Sequence, residues 1–481
     1  MLKYKGQLTT DNVIKGRLLS YFKTSQSNIF NLVLFLGKLI YQLSLTIFSV
    51  CLVNLPSAYG LATKTANGIH GYAPEIINTQ LASDKHGFTL NGVFYSESTG
   101  NIKENEIKEF DGDLTFNDFS IKIFGYGSLD PQINYQDIDG DSIDPTHPFL
   151  EKDAYFQWYD ANDKKIPKGD NNKIMGCGSG YPMPLKLEIG SKVQTFSQYG
   201  IPKESDFLLI TKFYEISLKP KICYARPNAT IITQNAQWHS FDVNGNSEKW
   251  NLDNAVISPE YGGGHSPDYI LDLGFKANPN ASNGRIFPTT GFPGAKFQLV
   301  MVGAQTDYKF NIKSFSKDVV DVDYQGFVTL WKKPSGPITV QVVNKKNELM
   351  KFNYTFTPTN VWAVPTGDYN GGWLEASTTK CGGTEKVLSR KELTNSPKNS
   401  APMQWKYHDN NYTRSIDFSL GAEWGPMNEN TYPESAWRSK HYWTRDNYTN
   451  DRQFVVHSVN GGVGYDGYEN IGSINYIACK N

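Results

Sequence analysis

The chain has no net field of either sign: 47 Lys and Arg stand against 48 Asp and Glu, a formal charge of −1. Proteins that gather polyanions carry a basic excess, so a nucleic-acid partner is excluded at this level. Five cysteines in 481 residues are too few for a disulfide-dense mini-scaffold, and none sits in a C-x-x-C pair or beside histidines at zinc spacing. The 8 histidines form no H-E-x-x-H and no serine stands in G-x-S-x-G, so neither zinc-protease nor hydrolase-elbow chemistry has a local motif. No catalytic residue is assigned, no cofactor is expected, and the chain is read as a non-enzyme. Long helical periodicity is scarce too. What is abundant is turn-forming and aromatic: Gly 42, Pro 24, Trp 10, Tyr 28 and Phe 27. That composition suits mostly β modules with polar turns, not a disordered chain or a helical bundle. At roughly 100–200 residues per domain the length allows about two to four of them.

Residues 1–60 stand apart. Lys3, Lys5, Lys15, Arg17, Lys23 and Lys38 face only Asp11, the apolar run Leu43–Val53 follows, and the small residues Ala58, Gly60 and Ala62 come next. A basic region, an apolar core and a small-residue cut site are the parts of a secretory signal, with cleavage expected after Gly60 or Ala62. An uncleaved membrane anchor is the alternative. Against it, the dense apolar run is about half of the roughly 20 residues a span needs, and Lys38, Gln42 and Asn54 interrupt any longer window. Cys51 follows Phe48-Ser49-Val50, without the small residue that precedes a lipidated cysteine, and goes with the removed segment. Removal takes away six positive charges and one negative, leaving a mildly acidic chain at −6. The expected location is secreted or on the cell surface.

Cys177, Cys223, Cys381 and Cys479 remain, and four cysteines allow three pairings. Pairing Cys177 with Cys223 and Cys381 with Cys479 keeps each bridge inside one expected domain. Apolar residues recur with period two along most of the mature chain: Leu185, Leu187 and Ile189; Phe297, Leu299 and Met301; Ile338, Val340 and Val342; Phe352, Tyr354 and Phe356. Half-buried strands produce this pattern, and the Pro, Gly, Asn and Asp clusters between the runs are strand-ending turns. The expected fold is mostly β, with β-sandwich modules in series. The clearest helical stretch is short, at Glu385–Leu393. Turn clusters divide the chain into a signal peptide (1–60), a β-rich module (61–225), its second part or a connecting β region (226–285), a sandwich (286–360) and a C-terminal domain (361–481).

Three local patterns bear on chemistry. Asp137, Asp139, Asp141 and Asp144, around Gly140, bring hard oxygen ligands close together and form a weak calcium candidate. An EF-hand would need an acid where Pro148 stands, and a solvated acidic turn is the competing reading. Gly462–Gly467 matches G-x-G-x-x-G but is followed by the strand-like Ile471–Cys479 where a pyrophosphate site needs a helix. Aromatics crowd the last domain: Trp405, Tyr407, Tyr412, Trp424, Tyr432, Trp437, Tyr442, Trp443, Tyr448, Tyr465 and Tyr468. Trp, Tyr and Arg are the usual anchors of protein-binding surfaces, and also the usual filling of a small core. Polar neighbours place Trp437, Arg438, Arg445 and Tyr465 on the expected binding surface; Trp424 and Trp443 lie in the stretches whose family resemblance, given next, implies a core position.

Residues Gly291–Thr357, with VDYQGFVTLWKKPSGPITVQVV, resemble a bacterial Ig-like domain. The sequel Cys381…LGAEWGPM…AWRSKHYWTRDNY…Cys479 resembles the C-type-lectin-like tip of the invasin and intimin adhesins, whose two cysteines join the first helix to the final strand. Upstream, DIDGDSIDP, AYFQWYDANDKKIP, QYGIPKESD and FPTTGFPGAKFQLVM are similar to adhesion modules of the same group, so the resemblance covers most of residues 80–481. It implies tandem Ig-like sandwiches with an α+β lectin-like end, a bacterial source, and a role in cell adhesion and virulence. The implied partner is a cell-surface protein receptor, host or bacterial. Invasins and intimins carry a long outer-membrane β-barrel, for which this chain has no room; a separate barrel transporter or release is expected instead. The Glu-Pro-Asn and Gln-Pro-Asp triplets of calcium-dependent lectins are absent after Cys381, so the lectin-like label does not imply sugar. In integrin-binding invasins an aspartate lies four residues beyond the first lectin-domain cysteine; here that offset holds Glu385, which joins the expected binding set. Two alternatives remain: a structural or regulatory exoprotein that binds its own transporter, and a glycan-active enzyme working through scattered carboxylates.

Overall fold

In the computed structural model, strands Ile107–Phe110, Leu208–Leu218, Leu185–Thr195 and Phe149–Tyr159 lie side by side in that order, the first pair parallel and the others antiparallel. The structure describes residues 70–111, 113–232, 238–241, 247–250, 262–368, 371–397, 411–467 and 475–481. The signal segment with its cut site, and Trp405, Tyr407 and Tyr468, lie outside the described residues. Period-two alternation builds this four-stranded sheet as expected: Leu185, Leu187 and Ile189 are buried while Lys186 and Glu188 face outward. Ile210, Lys212, Tyr214 and Ile216 share the inward face of the neighbouring strand. Phe88, on a small sheet of Gly87–Leu90, Val93–Tyr95 and Ser120–Lys122, closes over that face, its ring 5.8 Å from Tyr214.

The second module is a sandwich. One sheet orders Tyr269–Ile270, Gly274–Lys276, Ile222–Pro227, Ala295–Met301, Phe327–Leu330 and Val320–Val322; the other holds Tyr308–Ile312, Ile338–Asn344 and Lys351–Phe356. Phe297, Leu299, Val340, Val342 and Phe356 meet in one core. This sheet reaches further upstream than the expected 286–360 span, because Ile222–Pro227 pairs antiparallel with Ala295–Met301 across a run of residues far apart in sequence. The two expected disulfides are present. Cys177–Cys223, with Cα atoms 5.7 Å apart, does not stay inside one module as expected: Cys223 lies on a strand of the sandwich, so the bridge fastens a loop of the first module to it.

The last module is α+β. Short helices Trp373–Ala376, Arg390–Leu393 and Leu420–Trp424 accompany a sheet of His441–Asn447, Arg452–His457 and Val463–Gly467. Trp373–Ala376 runs on through a π turn, Ser377–Cys381, and Cys381 bonds Cys479 on the final strand, Ala478–Lys480. The expected Glu385–Leu393 helix is not continuous. Its middle is extended: Val387 bridges Cys479 and Leu388 N–H donates to Ala478 O, both side chains being wholly buried. Pinning to the last strand overrides local helical preference, and the helix restarts at Ser389 with a capping box, Ser389 Oγ to Glu392 N–H and Glu392 carboxylate to Ser389 N–H. The glycine-rich Gly462–Gly467 stretch is strand from Val463 on, not a phosphate-binding turn.

Sandwich and last module share one core. Phe292 packs against Trp424, Tyr432 and Trp437 at ring distances of 5.3, 5.2 and 5.9 Å. Gly291 lies under the Trp362 ring, where a Cβ would come within 2.6 Å of Cζ3. The buried Glu423 carboxylate accepts from Thr289 and Thr290. The terminal module is thus bolted to the sandwich through packed aromatics and a buried carboxylate. Among the described residues no helix is long and apolar enough to cross a membrane.

Candidate binding surface

The Cys381–Val387 loop carries Glu385, and both of its ends are tied to one residue: Cys381 by the disulfide to Cys479 and Val387 by a β-bridge to Cys479. Gly382, at φ 74°, takes the left-handed turn that ends the π segment, a conformation that favours glycine. Glu385 itself is exposed on the 3-10 turn Thr384–Lys386. A short loop held at both ends offers its side chain at little cost in conformational entropy.

Beside the loop runs the strand His441–Asn447, whose Arg445 N–H donates to Leu388 O. The exposed Arg445 guanidinium lies 4.0 Å from Glu392, which also pairs with Lys480. Burial alone would raise the Glu392 carboxyl, but its bonds to Lys480 and Ser389 outweigh it and hold the group below its ordinary value. Arg390 N–H donates to Asp446 at 2.6 Å, and the Arg390 guanidinium sits 3.8 Å above the Phe454 ring. The buried Phe454 packs 5.3 Å from the exposed Tyr448, which stacks at 4.2 Å on the buried Tyr465, and Arg452 lies 5.2 Å from the Tyr465 ring. One face therefore joins an acidic loop, a charge network and a cation-flanked aromatic stack.

Glu385, Arg445 and Tyr465 fall on this connected face. Tyr465 is only 9% exposed, so its role there is to support the 39% exposed Tyr448, which presents the outer ring. Arg438 lies apart at the other end of the strand, partly buried, with Nη1 donating to Trp437 O. Trp437 corrects the expectation: it has no exposed surface, and its ring packs 4.6 Å from Tyr442. Polar sequence neighbours misplace it because the Glu434–Ser435 backbone lies against Gly294 of the sandwich, turning the ring into the joint. Trp424 and Trp443 are buried as expected. Sequence reasoning missed Arg390, Glu392, Arg452 and Lys480; only the polar turn around Tyr448 between two strand-like runs pointed toward them.

In the first module, carboxylate oxygens of Asp137, Asp139 and Asp141 lie within 4.8 Å of one another. Asp144 is not with them: it accepts from Thr146 and His147, and the Thr146 bonds hold its carboxyl below the ordinary value. Backbone N–H groups already donate to two of them: Asp139 and Asp141 to Asp137 Oδ1, and Tyr72 to Asp139 Oδ2.

No curated protein matches the chain. Among solved structures it is similar to invasin, described as a bacterial integrin-binding protein, at 19% identity and a TM-score of 0.34, covering 69% of this chain and 50% of that one. It is similar to a C-terminal 282-residue fragment of intimin in complex with the intimin-binding domain of the translocated intimin receptor, at 13% identity and a TM-score of 0.29, covering 69% and 86%. An EHEC O157:H7 intimin mutant gives 13% identity and a TM-score of 0.28, covering 41% and 89%. The chain spans half the length of the invasin structure. Residues 275–356 match the family model for invasin, domain 4, and this stretch holds most of the sandwich strands.

Proposed function

We propose that the chain is an exported bacterial surface adhesin whose C-terminal lectin-like module binds a protein receptor on a host or bacterial cell. The observation that carries this reading is the clamped Glu385 loop beside Arg445 and Tyr448: exposed charge and aromatic area on a module braced by a disulfide and bolted to its stalk. Rigid aromatic and arginine anchors lose little entropy on docking and dominate the energy of protein interfaces. The relatives' printed descriptions, integrin binding for invasin and receptor-bound intimin, support a protein ligand. Signal removal near residue 60 and passage through a separate barrel transporter, or release, are part of the same proposal.

Binding is favoured over catalysis by where the perturbed acid sits. Among the described residues the carboxylate pushed markedly upward is Glu423, sealed between two modules where no substrate reaches it. The test is capture of purified mature protein by host-cell membranes and by the producing cell's own envelope, with the Glu385→Ala/Arg445→Ala variant in parallel. Loss of capture by a variant that melts like the wild type supports the proposal; capture equal to wild type refutes it.

A further inference from the structure

Lys212 is the one lysine on the inward face of the four-stranded sheet's Leu208–Leu218 strand, between Ile210 and Tyr214, and it is 8% exposed. Its Nζ donates to Asp84 Oδ1 at 2.8 Å and pairs with Glu97. Both acids are themselves largely buried, with side chains 16% and 19% exposed.

The two carboxylates are differently held. Asp84 ends the helix Gln80–Ser83, and its Oδ1 accepts from Gln80 Nε2 at 3.0 Å as well as from Lys212. Asp84 O accepts Ser98 N–H, which fixes the Glu97–Thr99 turn against it. Glu97 N–H points at Tyr214 Oη, 3.4 Å away, whose own hydrogen goes to His86 O. Glu97 Oε2 is shut off from solvent and has its ion pair with Lys212 but no hydrogen bond. A carbonyl oxygen bonded at about 1.2 Å to its carbon places Asp84 Cγ within roughly 4 Å of Lys212 Nζ, close to the separation of a near-attack arrangement.

We propose that Lys212 and Asp84 join as an intramolecular amide, with Glu97 as the proton carrier. Nζ attacks Asp84 Cγ, the new N–C bond forms, and one Cγ–O bond breaks. Of the three protons on the lysine nitrogen, one stays on the amide and two leave on the departing Asp84 oxygen as water. Glu97 relays them in turn and ends as it began, so no oxidant, metal or co-reactant is needed. Gln80 N–H, directed at the Asp84 oxygen, stabilises the charge that builds there. The buried, apolar-flanked site keeps out the water that would reverse the step. The product closes the chain across a separation of 128 residues, in a loop that overlaps the one closed by Cys177–Cys223.

The test is mass spectrometry of the full mature protein, reduced and alkylated, against its sequence mass. The expected result is a deficit of about 18 Da, one water, a missed tryptic cut after Lys212, and a branched peptide joining the segments of Asp84 and Lys212. Lys212→Arg keeps the charge and cannot form the amide, so it should run at full sequence mass, as should Glu97→Gln. Recovery of both wild-type peptides as linear species from folded protein overturns the proposal and leaves a plain buried ion triad. A deficit that persists in Lys212→Arg overturns the assignment to Lys212, and one that persists in Glu97→Gln overturns the role of Glu97.

Discussion

Replacing Glu423 by Gln should make the protein more stable above neutral pH and leave it unchanged in mild acid. Glu423 is wholly buried at the joint of the sandwich and the last module. Its Oε2 accepts Thr289 N–H at 2.9 Å, Thr290 N–H at 3.0 Å and Thr290 Oγ1–H at 2.8 Å, while Oε1 meets the Thr289 hydroxyl. Desolvation pushes the carboxyl from 4.5 to about 7, against the pull of the threonine bonds. Because the folded group holds its proton more tightly than the unfolded one, its stabilisation is complete below about pH 4.5, is eroded as pH rises, and is lost above about pH 7. A rise of this size corresponds to about 3 kcal/mol between the two limits. Glutamine reproduces the protonated state: its oxygen accepts the two backbone N–H groups and its NH₂ donates to the Thr289 hydroxyl. Thermal melting at pH 5 and pH 8, followed by tryptophan emission, reads the effect where Trp424 Nε1–H donates to Thr290 Oγ1 at 3.0 Å. The variant should come within about 1 kcal/mol of wild type at pH 5 and exceed it by most of the about 3 kcal/mol at pH 8. A wild type whose melting temperature tracks that of Glu423→Gln at both values would refute the reasoning, as would a variant less stable at pH 8.

Removing the Cys381–Cys479 bridge, at a sequence separation of 98, should cost about 4.7 kcal/mol, and removing Cys177–Cys223, at a separation of 46, about 4.0 kcal/mol; melting of the two double-serine variants checks the order. Trp437→Ala should cost roughly 3–5 kcal/mol of folding through a cavity at the module joint, with receptor affinity preserved in the fraction that stays folded, which separates a core residue from an anchor in one paired titration and melt. Tyr448→Ala, by contrast, should weaken receptor binding by more than about 1 kcal/mol with a small change in melting. Met1 found on the exported protein by N-terminal sequencing would contradict removal of the first 60 residues.

The strands were legible because their signal is local. Leu185, Leu187 and Ile189 alternate whatever they face, and so do Ile338, Val340 and Val342. Which strand pairs with which is decided elsewhere: nothing in Ile222–Pro227 announces that its partner is Ala295–Met301, so the sheet's upstream reach was hidden. The same divide runs through the candidate site. Glu385 and Arg445 remain exposed as their polar surroundings suggest. Trp437 and Arg438 have equally polar neighbours, yet a backbone contact with Gly294 turns Trp437 inward. Glu423 inverts the rule, a charged residue in LGAEWG with no exposure, because the threonines that satisfy it come from the far side of the joint. Arg390 and Lys480 become surface partners of Glu392 and Phe454 only after the disulfide and Val387 have brought the final strand alongside the loop. Exposure in this protein is therefore a property of the module joint as much as of the residue. Glu423 and Trp437 therefore act on stability at that joint, where the packing that holds the last module is built, and not on the surface offered to a receptor.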